Sequence, residues 1–190
     1  MDTADRLITS TQDLLWERGY VGTSPKAIQE RAHAGQGSMY HHFSGKPALA
    51  AAAIRRSATE LRTEGERQLC GPGSALERIS AYLLREREVL RGCRIGRLTQ
   101  DPDVVADPDL RAPVDETFRW LQSRLAQVLA QGQREGEIDP DLDPADVGSA
   151  IAAVLQGGYV LARAAQSVEP FDRAVKGVLT LLAGSAVSRT

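Results

Sequence analysis

Residues 24–46 read SPKAIQERAHAGQGSMYHHFSGK, and this stretch decides how the N-terminal part of the chain folds. Its first residue, Ser24, is a favourable N-cap, and the proline after it suits the first helical position, which needs no amide donor. The sequence therefore predicts a helix over 25–32. Residues 33–35 are long enough only for a tight turn, and a second helix is expected over 36–43. Two short helices joined in this way predict a helix-turn-helix, whose second helix can lie in the DNA major groove.

The second predicted helix has an outer face that suits DNA. Met39 and Phe43 are four residues apart and can both face inward, which leaves donors, acceptors and no carboxylate outside. We expect Gln36 and Ser38 to help read bases while later side chains hold phosphates. An ordinary helical hairpin is the alternative, but polar aromatic residues on an exposed helix favour DNA binding. The predicted DNA contacts are Thr23, Ser24, Lys26, Gln36, Gly37, Ser38, Tyr40, His41, His42 and Lys46.

The rest of the chain has helical periodicity and no alternating strand pattern. The sequence therefore predicts an all-α fold of about nine helices, with a three-helix helix-turn-helix head at the N-terminus and a helical bundle after it. The other predicted helices are 3–18, 46–68, 74–90, a short one within 91–109, 108–133, 144–166 and 170–185.

The eighth and ninth predicted helices each carry small residues beside their ordinary core face. A helix that is apolar on two faces cannot bury both within one small bundle, and small residues allow helices to approach closely. We interpret this small-residue stripe as a homodimer interface; a tight crossing within one chain is the alternative. The stripe comprises Ala150, Ala153, Gly157 and Leu161 on the eighth helix, and Ala174, Gly177 and Leu181 on the ninth.

Several aromatic and polar residues lie on or beside the apolar faces of the later helices. Glu86 falls on the apolar stripe of the fifth predicted helix, where a carboxylate is costly unless it is paired. It therefore lies either at a surface edge beside an arginine or in a pocket wall. The residues predicted to line a ligand cavity are Tyr82, Glu86, Phe118, Trp120, Leu121, Gln156 and Tyr159, with ordinary packing as the alternative.

The distribution of charge along the chain also agrees with DNA binding by the N-terminal part. The first 62 residues are net basic and the remainder is net acidic, so the positive charge that phosphate requires accompanies the helix-turn-helix.

The acidic run 139–143 lacks the ligand pattern of a calcium loop, and no zinc set, cofactor motif or catalytic motif is recognisable. Cys93 lies between two arginines and is either a redox sensor or a plain buried thiol. With no signal peptide and no long apolar run, we expect a cytoplasmic protein that does not bind membranes.

The helix-turn-helix resembles the DNA-binding domain of the TetR family of bacterial transcriptional repressors. The residues that carry this resemblance are Gly19-Tyr20, Thr23-Ser24, Ile28, Ala32, the run Gly37–Phe43 and Lys46. Two positions depart from the family pattern, because His33 stands where a turn glycine is usual and Gly35 stands where Ser or Thr usually caps the recognition helix.

The resemblance implies a division of the chain into a DNA-binding domain, 1–46, and an effector-binding and dimerisation domain, 47–190. It also implies a repressor, not an enzyme, that binds double-stranded operator DNA as a homodimer and is released by a small-molecule effector. Two alternatives stay open at this point. The chain could be a helical carrier or enzyme with a vestigial head, or a helical adaptor that binds another protein.

Overall fold

We describe the protein from a computed structural model, in which residues 2–184 are described. Within this range the chain forms nine α-helices and no β-strand, so the predicted all-α fold is confirmed. The helices are α1 (Thr3–Arg18), α2 (Pro25–Ala32), α3 (Gln36–His42), α4 (Lys46–Leu69), α5 (Ala75–Leu84), α6 (Pro102–Ala106), α7 (Pro108–Arg134), α8 (Pro144–Ala165) and α9 (Glu169–Gly184). The predicted end of the ninth helix, Ser185, lies outside the described residues.

The chain forms two compact units. One comprises Met1–Glu60 and Cys93–Thr117, and the other comprises Leu61–Gly92 and Phe118–Thr190. The first unit therefore includes more than the helix-turn-helix, because the start of α4 and the segment around α6 belong to it. The sequence predicts a functional boundary at residue 46, between the DNA-binding domain and the effector-binding domain. This functional boundary remains a prediction.

The head is held together by an apolar core to which α1, α2, α3 and the start of α4 all contribute. Met39 is fully buried, and Phe43 packs against the same core as a partly buried residue, as predicted. Ser24 caps α2 through its hydroxyl, which accepts a hydrogen bond from the backbone N–H of Ala27 at 3.1 Å. The buried members of this core are Leu7, Leu14, Ile28, Ala32, Met39 and Leu49.

The turn between α2 and α3 explains the departure at His33. This residue ends α2 in the left-handed conformation, with φ 47° and ψ 47°. Glycine is favoured in this region of backbone space because any Cβ atom is crowded there, although histidine is one of the side chains that tolerate it. The turn geometry is therefore kept without the usual glycine.

A buried carboxylate from a distant part of the sequence fixes the turn after α1. Asp101, the N-cap residue of α6, accepts hydrogen bonds at Oδ2 from the backbone N–H groups of Tyr20 at 2.7 Å and Val21 at 3.0 Å. Gly19 has φ +75°, and a Cβ built there would lie 3.0 Å from the same oxygen. Asp101 itself is buried. We call this arrangement the Asp101 clamp; no local sequence pattern signals it.

The prediction that the fifth helix continues to residue 90 was wrong. α5 ends at Leu84 because Arg85 adopts an extended conformation, with φ −56° and ψ 150°. The guanidinium of Arg87 then folds back and donates hydrogen bonds to the carbonyl oxygens of Tyr82, Leu83 and Arg85. These carbonyls belong to the end of the helix, where no further amide is available to pair with them.

Ending α5 early changes the position of two predicted core residues. Glu86 is exposed, which agrees with the surface-edge interpretation, and it borders a surface groove beside α9. Leu90 is 44% exposed and follows in a short 3-10 turn, Val89–Arg91, so its predicted inward position was also wrong. The amphipathic pattern of 74–90 contained no signal for this break, because the cap comes from an arginine side chain after the helix end.

α8 begins as predicted, since the Asp143 carboxylate accepts hydrogen bonds from the N–H groups of Ala145 and Asp146. The expectation that the chain has no long apolar run needs correction. By length and composition alone, α8 could cross a membrane, although the core helix of a soluble protein passes the same test.

Candidate nucleic-acid interface and effector region

The outer face of α3 presents the side chains that the sequence predicts for DNA contact. Gln36, Gly37, His41 and His42 are exposed, and Tyr40 is 50% exposed. Ser38 is half-buried. The helix starts at Gly35 without a side-chain cap, so no capping side chain shields the first backbone amides. Met39 and the C-cap residue Phe43, which pack into the core of the head, are both apolar. The polar side chains of α3 therefore remain accessible.

The three predicted contacts at the start of α2 differ in their availability. Ser24 and Lys26 are exposed. Thr23 is only 1% exposed, and its hydroxyl donates a hydrogen bond to the carbonyl oxygen of Gly19 at 2.7 Å. The side chain of Thr23 therefore supports the turn before α2, and a DNA contact by Thr23 remains a prediction.

Lys46 lies at the start of α4 and is half-buried. Its ammonium group lies over the ring of Tyr20, 3.9 Å from the ring centroid. Burial lowers the pKa of Lys46 below its usual value, while the charges of Asp101 and Asp103 act in the opposite direction. A phosphate contact by Lys46 remains a prediction, and in this structure the ammonium already has an aromatic partner.

Two residues of the predicted ligand cavity meet at Gly65 on α4. A Cβ built at Gly65 would lie 2.7 Å from Cη2 of Trp120 and 3.3 Å from Cε2 of Tyr82. The Trp120 indole N–H donates to Oε1 of Glu66 at 3.1 Å. Burial opposes the charge of Glu66, but hydrogen bonds from Cys70 and Trp120 and the charge of Arg124 outweigh it, so its pKa lies below the usual value.

This packing predicts the effect of a single methyl group. We expect Gly65→Ala to reduce the free energy of unfolding by about 1–3 kcal/mol, because the indole that the new methyl group meets is rigid and must shift. Urea denaturation checks this. Gly37→Ala in α3 is the matched control, because stability is measured without DNA and a Cβ at Gly37 meets nothing within 4 Å among the described residues outside its own helix backbone. Equal stability of the two variants would contradict the proposed contact.

Tyr159, another predicted cavity residue, belongs to a second group of contacts. The ring of Tyr159 packs against that of Phe171, with centroids 4.8 Å apart. The Arg87 guanidinium lies 5.4 Å from the ring centroid of Tyr82 and 5.8 Å from that of Phe171, and burial lowers its pKa. Arg87 and Phe171 were thus missed, because their contacts arise only when α5, α8 and α9 pack. Leu121 is buried, while Phe118 and Gln156 are half-buried.

The small-residue stripe is largely accessible in the single chain. Leu161 is 55% exposed and Leu181 is 75% exposed, and among the described residues no atom outside the adjacent helix backbone lies within 4 Å of a Cβ built at Gly157 or Gly177. Ala150 and Ala153 are exposed as well, whereas Ala174 is half-buried. The intrachain crossing of α8 and α9 instead uses Gly158, where a Cβ would lie 3.0 Å from Cδ2 of Phe171.

Cys93, the candidate redox sensor, is half-buried. Its sulfur accepts a hydrogen bond from the backbone N–H of Gly96 at 3.2 Å. A redox role for this thiol stays a hypothesis.

Comparison with known proteins agrees with this architecture. A family model described as "Bacterial regulatory proteins, tetR family" matches residues 7–53, and one described as "Tetracyclin repressor-like, C-terminal domain" matches residues 74–178. The transcriptional repressor NemR of Escherichia coli is 25% identical over an alignment of 199 residue positions, gaps included. The alignment covers 98% of this chain and 96% of NemR.

Solved structures show the same fold. The reduced form of E. coli NemR superposes with a TM-score of 0.85 at 23% identity, and the match covers 100% of both chains. A cysteine mutant of the TetR family regulator CifR, complexed with a 26-base-pair operator, matches with a TM-score of 0.80 at 22% identity, over 94% of this chain and 95% of CifR. With both domain models matched in chain order, the protein belongs to the TetR family of transcriptional regulators, which are not enzymes.

Proposed function

We propose that this regulator is a repressor that binds a pseudo-palindromic operator as a homodimer and is released by a small-molecule inducer. The observation that carries the DNA-binding part is the outer face of α3, which is polar and free of carboxylates on a well-packed head. NemR is a repressor, and the CifR mutant was crystallised with operator DNA, which supports the same role here. Acting on DNA, the protein would work in the bacterial cytoplasm.

The proposed DNA contacts divide into base-reading and phosphate-holding groups. Gln36 and Ser38 lie in the first turn of α3, where a recognition helix meets base edges. Tyr40, His41 and His42, together with Ser24 and Lys26 at the start of α2, have the reach for phosphate oxygens. Gly37 would let the helix approach the duplex closely, because nothing projects from it.

The two groups predict different binding defects. We expect Gln36→Ala to weaken operator binding by about 1–3 kcal/mol and to relax the choice of base at one position. Tyr40→Phe should weaken binding to every sequence by a similar factor, because a phosphate contact carries no sequence information. Lys46→Ala should in addition reduce the slope of log affinity against log salt by about one.

These defects are measured on the operator obtained by selecting bound sequences from a random duplex pool. Gln127→Ala on α7 serves as the control for Gln36→Ala, because it removes an exposed glutamine side chain outside the head. Wild-type affinity of all three head variants for the selected operator would contradict the assignment. Ligand binding without DNA binding would favour a carrier with a vestigial head instead.

The proposed release by an inducer depends on α4. This helix starts in the unit that holds the head and ends in the unit that holds Tyr82 and Trp120, with no break over 24 residues. A ligand can release DNA only if it binds the DNA-incompetent conformation more tightly than the competent one. We propose that ligand among Tyr82, Phe118, Trp120, Leu121, Gln156 and Tyr159 displaces α4 and changes the spacing of the two heads.

A further inference from the structure

A groove borders α9 at the end of α5. It has a volume of about 810 Å³ and lies among the end of α5, the loop that follows α5, and one side of α9. This volume is in the range of small-molecule sites. Most of its wall is apolar, and the principal apolar side chains are Leu83, Val89, Phe171, Val175 and Leu179. Of the residues predicted to line a ligand cavity, only Glu86 borders this groove.

Two arginines border the groove, and among the described residues neither forms an ion pair with a carboxylate. The Arg85 guanidinium lies 5.0 Å from the ring centroid of Tyr82, and no acceptor among the described residues is bonded to it. Arg87 gives its terminal N–H groups to carbonyl oxygens at the end of α5. The terminal N–H groups of Arg85 are therefore left to pair with a ligand, and an anion at this end of the groove would gain charge-assisted hydrogen bonds from them.

The remaining charges on the groove wall limit the charge of the ligand. Glu86 and Asp172 are exposed residues at the groove, and Lys176 is an exposed cation there. With the two arginines, the formal charge of the wall is therefore only slightly positive. A polyanion such as a nucleotide would meet two carboxylates, whereas a single negative charge can be paired by Arg85 alone. The apolar wall requires that the rest of the ligand be a hydrocarbon chain or ring.

The groove and the small-residue stripe are on different sides of α9. The residues of α9 at the groove include Asp172, Lys176 and Thr180, whereas the stripe runs through Ala174, Gly177 and Leu181. Since successive helical residues turn by about 100°, these sets are on roughly opposite sides of the helix. A partner subunit seated on the stripe of α9 would therefore not use the groove-lining face of that helix.

We propose that this groove binds an amphipathic monocarboxylate, with its carboxylate at Arg85 and its apolar body along α9. The Arg85 guanidinium supplies the pairing charge, and the Arg87 guanidinium behind it adds positive potential while it holds the end of α5 in place. The site is distinct from the cavity proposed around Trp120. Ligand binding in the groove can be measured without DNA. A negative result there would therefore leave the proposed repressor function untouched.

The test compares two ligands of equal chain length and opposite charge by isothermal titration calorimetry on the full chain. Decanoate should bind at least tenfold more tightly than decyltrimethylammonium. Arg85→Gln should weaken decanoate about tenfold or more and should not weaken decyltrimethylammonium, because it removes a charge that pairs with the carboxylate and repels the ammonium. Arg173→Gln, on α9 but away from the groove, is the matched control and should bind decanoate like the wild type.

A second variant tests the position of the apolar body. Thr180→Trp adds bulk at an exposed position of the groove wall and should weaken both ligands. Unchanged circular dichroism and thermal midpoint establish that each variant is folded. The proposal is overturned if the wild type does not prefer decanoate, or if Arg85→Gln binds it like the wild type. It is also overturned if Thr180→Trp leaves ligand binding intact but abolishes self-association, because the groove would then hold a second copy of the chain.

Discussion

Gly157→Arg should give a folded monomer whose affinity for the operator falls to the non-specific level, a loss of about a thousandfold or more. One head offers a single recognition helix of seven residues, Gln36–His42, which is too small for tight specific binding. Two heads related by a two-fold axis would read half-sites about one helical turn apart or somewhat more. A long charged side chain on the small-residue stripe would prevent close approach of the subunits and bury an unpaired charge.

The fold of the single chain should survive this change. Among the described residues, no atom outside the adjacent helix backbone lies within 4 Å of a Cβ at Gly157, and glycine is a poor residue in a helix interior, so arginine should not destabilise α8. Gly177→Glu, which is equally open, should have the same effect from α9. Ala81→Arg is the control, since it adds the same side chain at an exposed position of α5.

Analytical ultracentrifugation at micromolar concentration gives the oligomeric state, and titration of operator DNA gives the affinity. We expect a dimer for the wild type and for Ala81→Arg, and a monomer for the two glycine variants. A wild type that is folded and sediments as a monomer would rule out the proposed interface. A dimeric Gly157→Arg that still binds operator would move the interface to another face.

The second large effect is expected at the Asp101 clamp. Asp101→Ala should lower the free energy of unfolding by about 2–4 kcal/mol, because the buried amide of Tyr20 and the partly buried amide of Val21 lose a charged acceptor. Asp101→Asn should cost less, since a neutral amide oxygen in the place of Oδ2 can still accept from these amides. The turn that the carboxylate holds leads into α2, so operator affinity should fall as well. Urea denaturation followed by circular dichroism measures the first effect.

Asp103→Ala is the matched control for this prediction. Asp103 is also in the first turn of α6, but its side chain is exposed, and only its backbone N–H bonds to Asp101, at 3.2 Å. The control should therefore stay close to wild-type stability. Comparable losses of stability in Asp101→Ala and Asp103→Ala would contradict the clamp. They would mean that the free energy of unfolding depends on the negative charge near α6 and not on the two hydrogen bonds.

The sequence was sufficient for features that depend on neighbouring residues. The helix-turn-helix bounds follow from Ser24 and Pro25 at one end and from the short turn before Gln36, because caps and turns act over three or four residues. The start of α8 at Asp143-Pro144 has the same local cause. The inward positions of Met39 and Phe43 follow from helical spacing, and the same spacing leaves the polar residues of α3 on its outer face.

Only the tertiary structure decided features in which distant segments meet. The break of α5 at Leu84 depends on how Arg87 folds back onto the helix end, and periodicity cannot detect a cap that comes from outside the helix. Thr23 looked available in the sequence, yet its hydroxyl is used by the turn at Gly19. The Asp101 clamp joins residues 80 positions apart, and the sequence contains no signal for such pairing because the geometry exists only after α1 and α6 have packed. Local chemistry thus set the helices and the recognition face, and packing decided which polar side chains remain available to DNA and ligand.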